Sequence, residues 1–551
     1  MNPIVRRELL DWLRTRKAVA ALALIGAAAA ALVLARWPSA GVGDLNGVAA
    51  LQVLRVFGYG MLACLILVLP AFPATSVVRE RVKGTLALLL NSPMSPRSIY
   101  LGKLGGALGF VGLLLAVTVP AAAACFPLGG STMSGGVGLL YVVLAMAGVQ
   151  VTTVGLYVSC RTMSVDGALR TTYAAVLGLC VLPLAAHYLT PPDTPELALV
   201  AAWLGCLSPV PAVMEAVGQG GAGIAGVTYP AGAVGRYVIV AGVTGLLLAI
   251  ATVMRLSRAP LDRPRPPGTM TQDRSRGGRA ARRLFFLVDP NRRSAGVSLW
   301  VNAVMVKEFR TRRLGRAYWV IRLVAVTAVL SVALSCLAAS GALNWGLEVI
   351  GGALVLLQAA LLVLFAPSLS AGLISAERER GGWNLLRLTP LSAGKILRGK
   401  LASAAIPVLL LTLATLPGYV VLMLVKPELA ALIPRVVITL GLTAVFAVLV
   451  GAAAGSIFRT TAAATAAAYV SLALICVAPF LVWLGRDAPF GYSTVTAALR
   501  INPVAAALHA ADTPGFDQYP LLPVNWWIIG AGCVLLWVFL EARVRQLRRP
   551  D

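Results

Sequence analysis

Apolar runs separated by short polar breaks set the rhythm of this chain. In the first half they cover Ala18–Leu34, Leu51–Phe72, Leu104–Phe126, Val137–Val158, Thr172–Leu189 and Val238–Val253. In the second half they cover Val320–Ala339, Ile350–Leu373, Leu401–Leu424, Val436–Ile457, Ala462–Leu484 and Trp526–Leu540. A bilayer core about 30 Å thick is crossed by about 20 apolar residues in an α-helix, and these runs reach or approach that length. The pattern predicts an all-α polytopic membrane protein with about twelve transmembrane helices, six on each side of a polar gap at Arg255–Ser298.

Composition agrees with that class. Of 551 residues, 59% are hydrophobic and 12% charged, against about 25% charged in an average soluble domain. So few polar residues cannot cover a water-soluble globule. Lys and Arg number 47 against 21 Asp and Glu, a formal charge of +26. The basic residues gather between the apolar runs, at Arg6–Lys17, Arg79–Lys103, Arg255–Arg293, Lys307–Arg322, Arg378–Lys400 and Arg543–Arg549. That is where cytoplasmic loops of membrane proteins collect them, so the charge implies no nucleic-acid partner. It places both termini in the cytosol.

Ahead of the first run, Val5, Leu9, Trp12 and Leu13 share one helical face. Glu8 and Asp11 are out of place in a cleaved signal, so an interfacial amphipathic helix feeding a retained span is expected. The eight cysteines form no CxxC pair and the two histidines, His187 and His509, stand far apart. No metal centre is expected, and no cofactor. The gap at 255–298 holds eleven arginines and a Pro-rich stretch, Pro260–Pro267, the composition of a linker.

Beyond the gap the pattern restarts. Asn2–Leu9 reads NPIVRREL and Asn302–Phe309 reads NAVMVKEF. Glu80-Arg81-Val82-Lys83-Gly84 matches Glu377-Arg378-Glu379-Arg380-Gly381, and Gly102-Lys103-Leu104 matches Gly399-Lys400-Leu401. The offset stays at 297, and residues 80–104 share eleven identities with their counterparts, without a gap. Unrelated segments of that length would share about two. This is an internal duplication. Residues 1–254 and 299–551 read as two six-helix units joined by the linker 255–298. With six spans each, the units enter the membrane in the same sense, as parallel repeats.

The most similar stretches, 78–103 and 375–400, also carry the candidate chemistry. Arg79, Glu80, Arg81 and Lys83 cannot remain in hydrocarbon, where each would cost about 2.5–3.5 kcal/mol. The chain therefore leaves the bilayer after Pro70 and, in the second unit, after Pro367. Leu86, Leu88, Leu89 and Leu90 form a short apolar cluster, mirrored by Trp383, Leu385, Leu386 and Leu388. Ser95 and Ser392 are the expected N-caps of the re-entering helices, and Pro96 stands at the first helical position of the first of them. A purely basic loop would need no carboxylate, yet Glu80 and Glu377 occupy matched positions.

These residues resemble the ABC-2 type permeases, the membrane subunits of a large class of ABC exporters. In that family the second span is followed by a cytosolic coupling helix with a pattern like E-R-x-x-G-T-L-x-L-L-L-x-S-P-x-S-x-x-x-I-x-x-G-K. Glu80, Arg81, Gly84, Thr85, Leu86, Leu88, Leu89, Leu90, Ser92, Pro93, Ser95, Ile99, Gly102 and Lys103 follow it. Glu377, Arg378, Gly381, Leu385, Leu386, Thr389, Pro390, Leu391, Ser392, Ile396, Gly399 and Lys400 follow it in the second unit, which departs at Gly382 and Trp383. Ser208-Pro209 and Asn502-Pro503 look like the family's short motif before the last span of each unit.

The resemblance implies a permease subunit driven by two copies of a separate ABC ATPase, in the inner membrane of a prokaryote. It leaves room for accessory subunits beside the membrane lipids. It assigns ATPase coupling to Glu80, Arg81, Gly84, Leu88, Leu89 and Pro93. The second set is Glu377, Arg378, Gly381, Leu385, Leu386 and Pro390. The chain itself has no G-x-x-x-x-G-K-[ST] loop for ATP phosphates, so it is not expected to be an enzyme. A secondary transporter is the alternative class, but such carriers use ionisable groups in mid-membrane. Here the notable polar residues within the runs are the amides Gln52, Gln150 and Gln358, which suit helix–helix contacts. A membrane-embedded enzyme would need clustered acids or histidines near an interface, and Asp166, Asp487 and Asp512 are scattered.

Overall fold

A computed structural model describes residues 3–13, 22–23, 25–27, 29–31, 48–124, 131–184, 195–218, 232–257, 301–311, 317–339, 347–484, 486 and 490–548. Every regular element among them is helical. The chain divides into two compact units, Met1–Asp262 with Phe480–Val495, and Arg263–Pro479 with Thr496–Asp551. Except for residues 255–257, the predicted linker lies outside the described residues, as does most of the run Ala18–Leu34.

The first unit begins with α1 (Pro3–Leu13). A broken span follows, α2 (Val48–Val68) and α3 (Ala71–Val82), interrupted at Pro70. Then come the short α4 (Thr85–Leu90), α5 (Pro96–Ala123), α6 (Ser131–Arg161) and α7 (Val165–Val181). The unit's last helices are α8 (Pro195–Gly205), α9 (Val210–Ala216) and α10 (Ala233–Ser257). The second unit repeats this order. It has α11 (Ala303–Thr311), α12 (Ala317–Ala339), α13 (Leu347–Ser370), α14 (Gly372–Glu379), α15 (Gly382–Arg387) and α16 (Ala393–Leu413). It continues through α17 (Leu416–Val425), α18 (Ile433–Ile457), α19 (Thr461–Cys476), α22 (Pro503–Ala510) and α23 (Val524–Arg548), while residues 480–495, from α20 (Ala478–Leu484) into α21 (Tyr492–Ile501), group with the first unit.

Among the described residues, nine helices are long and apolar enough to cross a membrane. They account for nine of the predicted runs. The runs at 172–189 and 320–339 contribute the shorter apolar helices Gly167–Val181 and Val324–Cys336. One element was not legible as a span. Glu196–Gly205 and Val210–Ala216 fold as a pair bent by 92° at Ser208-Pro209, and each arm is too short to register as a membrane run.

In each unit one helix is enclosed by the others. In the first unit α6 packs against α3, α5, α7 and α10, and Leu140, Val143 and Leu144 are fully buried against Leu54, Phe110 and Leu114. In the second unit α18 packs against α13, α16, α19, α22 and α23. Small residues permit close approach where lipid supplies no hydrophobic drive between helices. A Cβ on Gly455 of α18 would collide with the backbone of Ala371. The amides hold helices together, as expected of such residues in spans. Gln150 donates to Leu207 O at 3.1 Å and accepts from Tyr237 Oη at 2.9 Å. Gln358 donates to Thr412 O at 2.6 Å and accepts from Tyr419 Oη at 3.2 Å.

The candidate coupling site

In both units the chain leaves the membrane-spanning helix through a left-handed glycine, Gly84 at φ 76° and Gly381 at φ 74°. A residue with a Cβ pays about 1–2 kcal/mol for that conformation, which explains glycine at this point of the motif. The short helices α4 and α15 follow, and the caps close the turn. Ser95 Oγ accepts from Ser98 N at 3.2 Å, and Ser392 Oγ accepts from Lys395 N at 3.3 Å. Each hydroxyl satisfies one of the orphan donors of a helix start.

Four charged residues of the two segments, Glu80, Lys103, Glu377 and Lys400, face inward. Glu80 Oε1 lies 2.5 Å from Arg7 Nη2 and 3.1 Å from Lys103 Nζ. Lys103 Nζ also lies 3.0 Å from Glu8 Oε1 and donates to Ser76 Oγ at 3.1 Å. The second unit rebuilds the same four-charge cluster. Glu377 pairs with Lys307 and lies 3.7 Å from Lys400 Nζ, which is 2.6 Å from Glu308 Oε1. Each cluster is two cations and two anions, so the buried ammonium is neutralised where burying it alone would be prohibitive. Burial alone would lower the Arg7 pKa; the hydrogen bond from Arg7 to Glu80, with the charges of Glu80 and Glu8, outweighs it and raises it above the ordinary arginine value.

The clusters tie α1 to α3 and α5, and α11 to α14 and α16. The predicted amphipathic helix therefore lies on protein. Ile4 and Glu8 are buried, and a Cβ on Gly106 of α5 would meet Glu8 Cβ at 2.8 Å. The partners Arg7, Glu8, Lys307 and Glu308 were not singled out in the sequence. The available signal was the repeat itself, since NPIVRREL and NAVMVKEF both keep a basic–acidic pair at the same place.

The arginines of the motif are spoken for as well. Arg81 donates to Thr162 O at 2.9 Å and to Cys160 O at 3.0 Å, at the C-terminal end of α6. Arg378 donates to Ser456 O at 3.1 Å, at the end of α18. A cation here satisfies orphan carbonyls and complements the helix dipole. The most enclosed helix of each unit is thus bonded to its candidate coupling segment.

The surface presents exposed leucines beside cations. Leu88 and Leu385 are 73% and 72% exposed, and Leu388 is 84% exposed. Pro93, Pro390, Gly84, Gly381, Lys83 and Arg380 are exposed beside them. Leu386 is buried and Leu89 half-buried, so of the predicted coupling leucines these two serve as the inward face. Leu86 packs with Ile99, Tyr100 and Leu256 of α10. In the second unit Trp383 Nε1 and Arg387 Nε donate to Leu547 O of α23, at 3.0 and 2.6 Å. Each of α4 and α15 leans on the last helix of its own unit.

A comparison with curated proteins gave no match. Residues 3–217 match the family model described as ABC-2 type transporter. That match takes in the first cluster, the first coupling segment and the bent pair. Residues 3–217 are therefore similar to the membrane domain of ABC-2 type transporters.

Proposed function

We propose that this chain is a two-unit exporter permease, residues 1–254 and 299–551 joined by 255–298, served by two copies of a separate ABC ATPase. α4 and α15 dock the ATPases on the cytosolic face of a prokaryotic inner membrane, and both termini lie on that side. One observation carries the reading. At the constant offset of 297, three exposed positions of the two segments agree in kind: Leu88 with Leu385, Lys83 with Arg380, and Pro93 with Pro390. Two surfaces of the same chemistry suit two copies of one partner. An exposed leucine beside a cation fits an apolar groove with an acidic rim.

The anchoring of each segment supports how closure of the ATPases would be transmitted. A push on α4 reaches α6 through Arg81 and α1 through Glu80, and the second unit has the same links. The test is the double change Leu88→Glu and Leu385→Glu in the chain co-expressed with its ATPase. Co-purification and transport-coupled ATP hydrolysis should be lost, with each single change milder because one docking surface remains. Undiminished co-purification of the double variant would remove α4 and α15 as the docking helices.

A further inference from the structure

The second unit holds a cavity of about 320 Å³ lined by Arg435, His509, Ala510, Leu522, Pro523 and Trp526. It lies far from the coupling segment. Arg435 stands near the start of α18, whose other end, at Ser456, receives Arg378. The 21 residue steps from 435 to 456 within this helix rise about 31 Å at about 1.5 Å each, the full depth of a bilayer core. The cavity therefore opens at headgroup level on the opposite membrane face.

Its polar groups are set out for an anion. Arg435 has no side-chain hydrogen bond or ion pair among the described residues, and no carboxylate lines the cavity. His509 Nδ1 lies 3.1 Å from Phe516 O. A carbonyl oxygen can only accept, so Nδ1–H donates there, and the doubly protonated ring presents Nε2–H to an anion. Trp526 is held by its bond to Thr439 Oγ1 at 2.8 Å, which fixes the indole as a wall. Leu522 and Pro523 complete an apolar side.

The first unit lacks this chemistry at the equivalent places. The 297-residue offset puts Gly138 opposite Arg435, and counting from Ser208-Pro209 and Asn502-Pro503 puts Glu215 opposite His509. Glu215 is used locally, accepting from Gly232 N and Val234 N at 2.7 Å each. Two positions of a duplicated fold have thus become basic together, around one cavity.

We propose that this cavity binds a phosphate-bearing anion at the membrane interface, its phosphate on Arg435 and His509 and its apolar part against Leu522, Pro523 and Trp526. Arginine suits phosphate by its planar fork of donors, and tryptophan suits the interface. Such a group arrives either as a phospholipid headgroup or on a soluble solute. The site requires no ATPase, so its test is separate from that of the coupling surfaces.

The detergent-purified full chain is titrated calorimetrically with dihexanoylphosphatidylglycerol, with uncharged dihexanoylglycerol and with inorganic phosphate. The phosphatidylglycerol should bind saturably and the uncharged lipid at least about tenfold more weakly, the loss expected for a charge-assisted hydrogen bond. Arg435→Gln and His509→Gln should each weaken binding by a similar factor, Arg435→Lys should retain most of it, and Arg97→Gln should change nothing. Monodispersity on gel filtration confirms that each variant is folded, and the histidine variant serves if Arg435→Gln is not. Inorganic phosphate binding as tightly, with the same dependence on Arg435, would identify a soluble ligand; binding of the lipid alone identifies a headgroup. No saturable binding of either, or binding indifferent to both substitutions, overturns the site.

Discussion

Lys400 Nζ lies 2.6 Å from Glu308 Oε1, and both side chains are almost wholly enclosed, at 1% and 2% exposure. The partners are 92 residues apart, one on the helix before the first span of the unit and one on the helix returning from the coupling segment. Lys103 and Glu8 repeat the pair at 3.0 Å. A charge in such a place is tolerable only with its counter-charge, so the pair locks α11 onto α16 in one register.

Removing one member should therefore harm the protein more than removing both. Lys400→Met leaves Glu308 buried without its nearest cation, an arrangement that typically costs about 3–5 kcal/mol. The double change Lys400→Met and Glu308→Gln removes both charges. Thermal unfolding in detergent should show a large fall in Tm for the single variant and a clearly smaller one for the double. Additive falls would mean that the two side chains do not depend on each other.

The glycine turns isolate backbone conformation from packing. No atom lies within 4 Å of a Cβ built on Gly84 or Gly381, so any effect of substitution there arises from φ alone. Asparagine enters the left-handed region more readily than most residues, and a β-branched residue does so rarely. Gly84→Val with Gly381→Val should uncouple ATP hydrolysis from transport, while the asparagine pair keeps most of the coupling. Equal activity of the valine and asparagine pairs would show that the turn geometry is irrelevant.

Gly455 tests close helix approach. Its Cβ would strike the backbone oxygen of Ala371, which cannot move aside as a side-chain tip can. Gly455→Val should sharply reduce the yield of monodisperse protein. Gly441→Ala on the same helix, where a Cβ meets nothing within 4 Å, should be silent or slightly stabilising, since alanine is the better helix former by about 1 kcal/mol.

Orientation is checked by single cysteines in a cysteine-free background. Asn384 on α15 and Gln518 beyond α22 are both exposed. A membrane-impermeant maleimide added to intact cells should label Gln518→Cys and reach Asn384→Cys only after permeabilisation. The reverse pattern would invert the chain in the membrane and place the coupling segments outside.

Nine of the spans and the caps at Ser95 and Ser392 were legible in the sequence because each is a local property. Twenty apolar residues, a serine before a helix and a run of charges carry their meaning wherever the chain goes. The duplication was legible because identity at a fixed offset needs no coordinates. Which way a side chain turns was not. Glu80 was expected to meet a partner protein, and the tertiary structure sets it on Arg7, 73 residues away. Leu385 and Leu386 are adjacent in sequence, yet one is 72% exposed and the other 9%. The cavity at Arg435 and His509 joins residues from three helices and their connections. The partner of a buried charge and the inward face of a six-residue helix depend on which distant segment packs there, and only the fold decides that.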